Sequence, residues 1–152
     1  LEQPQILGQH DLQPLTDLDF DAVQDYDGLC FPVPRSRFLH AWIHQRQAMG
    51  LGAVRNGRMV GYGVVRRCED GCKIGPLFAD DLSVARDLFA SLRPFARGGM
   101  LYLDTPEHHP QALALANEAG MQEMFGCARM YLGPAPVTDA QRIFGVTTFE
   151  LG

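Results

Sequence analysis

Nothing in this chain is long and apolar enough to span a bilayer, since no run approaches the roughly 20 residues that a membrane helix needs. Positive charge is scarce as well. Thirteen Lys and Arg stand against eighteen Asp and Glu, a formal net charge of −5, which argues against nucleic acid as the main partner, since phosphate neutralisation needs a basic face. The N-terminus lacks the basic and apolar regions of a secretory leader. There is no CxxC pair among Cys30, Cys68, Cys72 and Cys127, which excludes the spacing of a zinc knuckle or a dithiol redox centre. Reduced thiols in a cytoplasm are the expectation. Internal repeats and low-complexity segments are absent.

What is there suits one domain over residues 1–152: 46% hydrophobic and 20% charged residues, with enough length to bury a single core. His40 and His44 stand at i, i+4 but have no third or fourth ligand in reach by spacing, so no metal is expected. Cys68 and Cys72 flank Glu69-Asp70-Gly71 and are expected to face each other near a hairpin end.

The pattern predicts a strand within residues 5–15, then a helix capped by Asp17 or Asp19 that buries Phe20, Val23 and Tyr26. A stiff two-proline link precedes a helix from about Arg35 with Phe38, Leu39, Trp42 and Ile43 inward. Three strands follow as a meander. Asn56-Gly57 is a strong type I′ hairpin signal, and Asp70-Gly71 makes the next turn. Gly61 and Gly63 share one face of the middle strand, which points to close approach of a packed helix rather than a ligand.

The most informative stretch is residues 73–89, a buried strand running straight into an amphipathic helix. Free N–H groups and the helix dipole make such a junction an anion site, yet Asp80 and Asp81 occupy its turn. A carboxylate about 5 Å from a phosphate costs roughly 1 kcal/mol even in water. Val84, Ala85, Leu88, Phe89 and Leu92 form the helix's apolar stripe, ended by Pro94. Beyond lie a short strand at residues 100–104, a helix opened by Pro110 and stopped by Gly120, a strand at residues 123–132, a helical turn near Ala140 and a last strand within residues 143–151.

That order, with the run from Asp104 to Met121, resembles the GNAT acyltransferase superfamily over essentially the whole chain. The resemblance is closer still to the C-terminal half of a two-domain bacterial branch. Its marks are Tyr26-Asp27, Phe31-Pro32, Arg35, Phe38-Leu39, Gly61-Tyr62-Gly63, Lys73-Ile-Gly-Pro-Leu-Phe-Ala-Asp, Ala128-Arg-Met-Tyr and Phe144-Gly-Val-Thr-Thr-Phe-Glu-Leu. The start at Leu1 fits an excised C-terminal half, so an N-terminal GNAT domain of the same polypeptide is the expected partner. The resemblance implies an α/β fold with a mixed, mostly antiparallel sheet of about seven strands flanked by helices.

It also implies transfer of an acetyl group from acetyl-CoA to a small primary amine. Two parallel strands, here residues 73–79 and 100–104, would splay so that the pantetheine arm pairs with one exposed edge. Leu77, Phe78, Ala79, Ser83, Val84 and Ala85 are the cofactor-binding positions by resemblance. The family's basic phosphate-loop position falls on Asp80, and its glycines fall on Ser83 and Ala85. The late-helix tyrosine that protonates the leaving thiolate is Ala116 here, and the asparagine that opens that helix is His109. Tyr131 and Asp104 stand as catalytic candidates, with Cys127 and His108 as further proton donors by sequence position. Asp27, Phe31, Arg35, Tyr62, Lys73 and Arg129 are the substrate-binding candidates. The alternative is a non-catalytic GNAT-like domain serving recognition, regulation or packing for an N-terminal catalytic half. Monomer and homodimer both stay open.

Overall fold

The computed structural model describes residues 10–151. The expected first strand lies partly outside the described residues, and its described part is β1, Asp11–Pro14. Asp19 caps α1, Phe20–Cys30, by accepting the Asp21 N–H at 3.1 Å. After the two prolines, α2 spans Ser36–Ile43. A hairpin joins β2, Ala48–Arg55, to β3, Arg58–Arg67. Asn56 and Gly57 take φ of 52° and 73° at its turn, as a type I′ turn requires. Then come β4, Cys72–Ala79; α3, Leu82–Leu92; β5, Leu101–Leu103; α4, Pro110–Glu118; and β6, Ile143–Gly145.

The sheet order is β1-β2-β3-β4-β5, antiparallel except for the parallel β4–β5 pair, with β6 pairing β4. Two apolar layers cover it. On one face α1 and α2 bring Val23, Tyr26, Leu39 and Ile43 against Tyr62, Val64 and Phe78. On the other, α3 and α4 bring Val84, Leu88, Leu92, Ala112 and Leu115 against Val65, Ile74, Leu77 and Phe144. Fully burying one such side chain is worth about 1.5–3 kcal/mol. The glycine face of β3 is the seat of α3. A Cβ on Gly61 would stand 2.8 Å from a Val84 methyl, and one on Gly63 would stand 2.8 Å from a Leu92 methyl.

The expected strand at residues 123–132 is absent; that stretch is exposed and irregular. The last strand is short, three residues of the nine expected. The described sheet therefore has six strands. No helix among the described residues is long and apolar enough to cross a membrane.

Candidate functional site at the opening between β4 and β5

β4 changes neighbours along its length. At its start it pairs in parallel with β5 through Cys72↔Leu101, Lys73↔Tyr102 and Ile74↔Leu103. Further on it pairs antiparallel with β6, through Leu77↔Gly145 and Phe78↔Ile143. Its other edge is held by β3 at those same residues, through Tyr62↔Phe78 and Gly63↔Leu77. β6 therefore stands on the β5 side, in the notch that opens where β4 and β5 part. The Val146 N–H donates to the Asp104 carbonyl at 2.9 Å, which ties the exit of β6 to the end of β5. The chain at the exit presses on β4 closely enough that a Cβ on Gly75 would lie 2.3 Å from the Thr147 carbonyl oxygen.

Beside the notch, the β4–α3 turn is closed by its own side chains. Asp81 caps α3, accepting the Val84 N–H at 3.0 Å, and receives Arg55 Nη2 at 3.1 Å. Burial alone would raise the Asp81 carboxyl, but the Val84 N–H and Arg55 outweigh it and hold it below its usual range. Asp80 accepts from the Tyr26 hydroxyl and from Arg142 Nε, each at 2.8 Å. Burial, then Asp80, push the Tyr26 hydroxyl far above the ordinary range, so it stays protonated as a donor. Arg142 also pairs with Asp139. Immediately before β6, Arg142 thus fastens that strand to the turn.

His109 fastens the same strand from the other side. Fully buried, it caps α4 by accepting the Ala112 N–H on Nδ1 at 3.1 Å, and that acceptor role leaves the proton on Nε2. Nε2 donates to the Gln141 carbonyl at 2.7 Å, and the ring rests on Phe144 with centroids 4.6 Å apart.

The acceptor-side candidates meet at one point. Arg35 forks onto Asp27, donating from Nε at 2.8 Å and from Nη2 at 2.7 Å, while the Tyr62 hydroxyl donates to the same carboxylate. Asp27 is only 3% exposed. Arg35 also reaches Thr147 Oγ1 at 3.1 Å and lies over the Phe31 ring at 3.9 Å. Burial opposes the Arg35 charge, but the Asp27 hydrogen bond and charge outweigh it and raise its affinity for its proton. Burial, then Asp27, push the Tyr62 hydroxyl well up. The nearby Cys30 thiol is pushed up to about 12 by burial and then by Asp27, which makes it a poor nucleophile. Asp27, Arg35 and Tyr62 thus partner one another inside the core, while Arg35 Nη1 is buried there without a hydrogen-bond partner.

The remaining candidates are dispersed. Lys73 donates to Asp104 at 2.8 Å across the parallel pair, so both charges are already partnered. Arg129 and Tyr131 lie on the irregular stretch and, with Phe31, Phe78, Ile143 and Val146, line a cavity of about 260 Å³. Leu77, Phe78 and Ala79 are buried in β4, and Ser83, Val84 and Ala85 open α3. His108 and Cys127 are exposed, and Ala116 sits half-buried on α4. Trp42 donates to the Gly75 carbonyl at 2.9 Å, which makes it a support for the notch. His40 and His44 stack on each other at 4.3 Å, and no group of three or more metal-ligating side chains occurs among the described residues. Cys68 and Cys72 are free thiols. Sequence reasoning missed Arg142 and Thr147, whose partners lie 62 and 112 residues away.

The family described as acetyltransferase (GNAT) domain matches residues 23–145, which takes in most of α1, the splayed strands and β6. The chain belongs to the GNAT acetyltransferase family. It is 27% identical over 142 residues to the holothin acyltransferase of Pseudoalteromonas sp. (strain SANK 73390), an alignment covering 93% of this chain and 48% of that protein. It is similar in structure to an acetyltransferase-like protein of Pyrococcus horikoshii, with TM-score 0.76 and 28% identity over 97% of this chain and 48% of that one. The chain therefore spans about half the length of both relatives. The ribosomal-protein-S18-alanine N-acetyltransferase of Escherichia coli shares the fold, at TM-score 0.65 and 17% identity over 77% of this chain.

GNAT membership implies acetyl-CoA as co-substrate, and the residues here do not fit it. The β4 edge that would pair with pantetheine is paired with β6 at Leu77 and Phe78. The α3 N–H groups that would hold pyrophosphate face Asp81, with Asp80 alongside. A phosphate would meet two carboxylates where it needs donors.

Proposed function

We propose that this GNAT domain does not itself transfer acetyl groups, and that it serves recognition or interdomain packing in a longer acyltransferase polypeptide with a competent GNAT half. The observation that carries this reading is β6 lying in the β4–β5 notch, hydrogen-bonded where the pantetheine arm would pair. Asp80 and Asp81 at the turn, and Ala116 in place of a tyrosine acid, support it. A cytoplasmic, bacterial setting and a single domain over residues 1–152 go with the same reading.

Calorimetric titration of the 152-residue chain with acetyl-CoA tests it, with desulfo-CoA and pantetheine as comparisons. The expected result is no heat of binding at millimolar ligand. Micromolar binding that depends on the phosphates would overturn the proposal.

The second reading is an active N-acetyltransferase acting on a small primary amine, which would need β6 to leave the notch. It is favoured by the cavity beside β6, where Phe31, Arg129 and Tyr131 bound an apolar floor. Turnover of acetyl-CoA by the isolated chain would establish that reading at once.

A further inference from the structure

The stretch between α4 and β6 is anchored at both ends and left uncovered between them. At its start the Met121 N–H donates to the Ala116 carbonyl, and Met121 packs against the main core. At its end the Asp139 N–H donates to the Leu29 carbonyl at 2.9 Å, and Asp139 pairs with Arg142. Between these ties the backbone forms no strand or helix. Met130 is 87% exposed, Val137 96%, and Met124 and Phe125 69% each. Scattered apolar side chains on a surface need no explanation, but so many large ones within 14 consecutive residues do.

Their arrangement says what kind of cover they want. Arg129 and Tyr131 face the 260 Å³ cavity, and Phe125 sets its ring edge-on to Phe149 at 5.5 Å. Met124, Met130 and Leu132 are exposed on the alternate positions, with only Gly126 and Ala128 between them. The alternation is that of an extended strand, and with Phe125, Cys127 and Tyr131 exposed as well, the stretch touches this domain at Phe149 and the cavity but is covered on neither face. The stretch carries one acidic and one basic residue, Glu123 and Arg129, over residues 122–137. A highly charged partner is therefore disfavoured, and an apolar one is favoured. A surface of this kind takes a protein partner by strand addition, where backbone hydrogen bonds supply affinity and the outward side chains supply specificity.

We infer that residues 123–132 form a strand against a second GNAT-like half of the same polypeptide, with Met124, Met130 and Leu132 as its buried anchors. This rests on the reading that the chain is one half of a longer acyltransferase. The choice of occupant rests on length, because this chain is nearly covered by both relatives while accounting for 48% of each. Each relative carries as much chain again, available to cover such a face.

Backbone hydrogen exchange tests the inference, comparing the isolated 152-residue chain with the complete natural polypeptide. The expected result is that amides of residues 124–132 exchange at least tenfold more slowly in the complete polypeptide. Maleimide labelling of the exposed Cys127 in a Cys68→Ser background should slow in parallel, since Cys30 and Cys72 are buried and Cys68 is partly exposed. Met130→Asp with Leu132→Asp should restore fast exchange there, and both positions face solvent in the isolated chain, whose thermal midpoint serves as the folding control. Equal exchange in the two proteins overturns the inference, as does a complete polypeptide with no second GNAT-like half. Protection already present in the isolated chain, with a dimer in sedimentation equilibrium, overturns it in favour of a second copy of this chain. CoA titration reads the notch and exchange reads this stretch, so either proposal can fail without the other.

Discussion

The notch between β4 and β5 and the stretch after α4 are opposite cases of the same accounting. In the notch the backbone edge and both turn carboxylates have been given partners from within the chain: β4's edge by β6, the α3 terminus by Asp81, Asp80 by Tyr26 and Arg142, with Arg35 Nη1 and Arg55 Nε left buried without one. In the stretch the apolar side chains have been given almost nothing. A buried backbone group without a partner is costly, and β6 supplies that partner to β4 at Leu77 and Phe78. Exposed apolar area costs free energy as well, and it is relieved only by another surface. The contrast locates where this domain is finished and where it is open.

The strongest way to break the finished side is at Asp27. Removing the carboxylate leaves Arg35 charged, buried and without its fork partner, and it takes the acceptor from Tyr62. Asp27→Ala should lose about 3–5 kcal/mol, read as a lower urea midpoint at unchanged slope. A double variant, Asp27→Leu with Arg35→Met, should recover much of that loss, because two apolar groups leave no buried charge behind. A loss in Asp27→Ala below about 1 kcal/mol would mean that water reaches the pair and that the site is open after all.

Gly75→Ala acts on the notch itself. The new methyl would stand 2.3 Å from the Thr147 carbonyl oxygen and 3.0 Å from that of Val146, and backbone cannot swing aside as a flexible side chain does. Overpacking of this sort costs typically about 1–3 kcal/mol. The expected outcome is displacement of the β6 exit, with amide exchange at residues 143–147 accelerated at least tenfold while the β2–β3 hairpin is unchanged. Unchanged exchange at β6 would show that the contact is loose, and the plugged notch would lose its main support.

How much of this was legible beforehand follows from the range of each interaction. The Asn56-Gly57 turn, the Asp19 cap and the α3 stripe are decided within a few residues, and they stand where the pattern put them. Gly61 and Gly63 were read as the seat of a helix, and α3 lies on them. The sequence reads as a strand over residues 123–132, but a strand-like pattern does not say whether a neighbouring strand is present to pair with it, and the described residues form none there. The GNAT resemblance brought Asp27, Arg35 and Tyr62 forward as acceptor-binding residues. Their meeting inside the core depends on a loop and two helices closing over β3, which no spacing encodes. The Arg142–Asp80 tie spans 62 residues and had no local signal at all.

The mildest prediction separates cap from charge at the β4–α3 turn. Asp81 is depressed in the folded state, so the stability it contributes is fully present above its unfolded value near 3.9 and is lost as pH falls through the lower folded value. Asp81→Ala should therefore cost about 1 kcal/mol at pH 7, a penalty that shrinks as pH drops below about 4. Asp81→Asn keeps an oxygen for the Val84 N–H and should cost less, with the remaining difference fading in high salt because the Arg55 pair is partly exposed. Neither variant should gain stability from added pyrophosphate, since Asp80 with its Arg142 tie still stands at the turn. A rise in thermal midpoint with pyrophosphate in Asp81→Ala alone would show that one carboxylate was all that excluded the anion. The turn would then belong with the open side of the comparison, one substitution away from a working phosphate site.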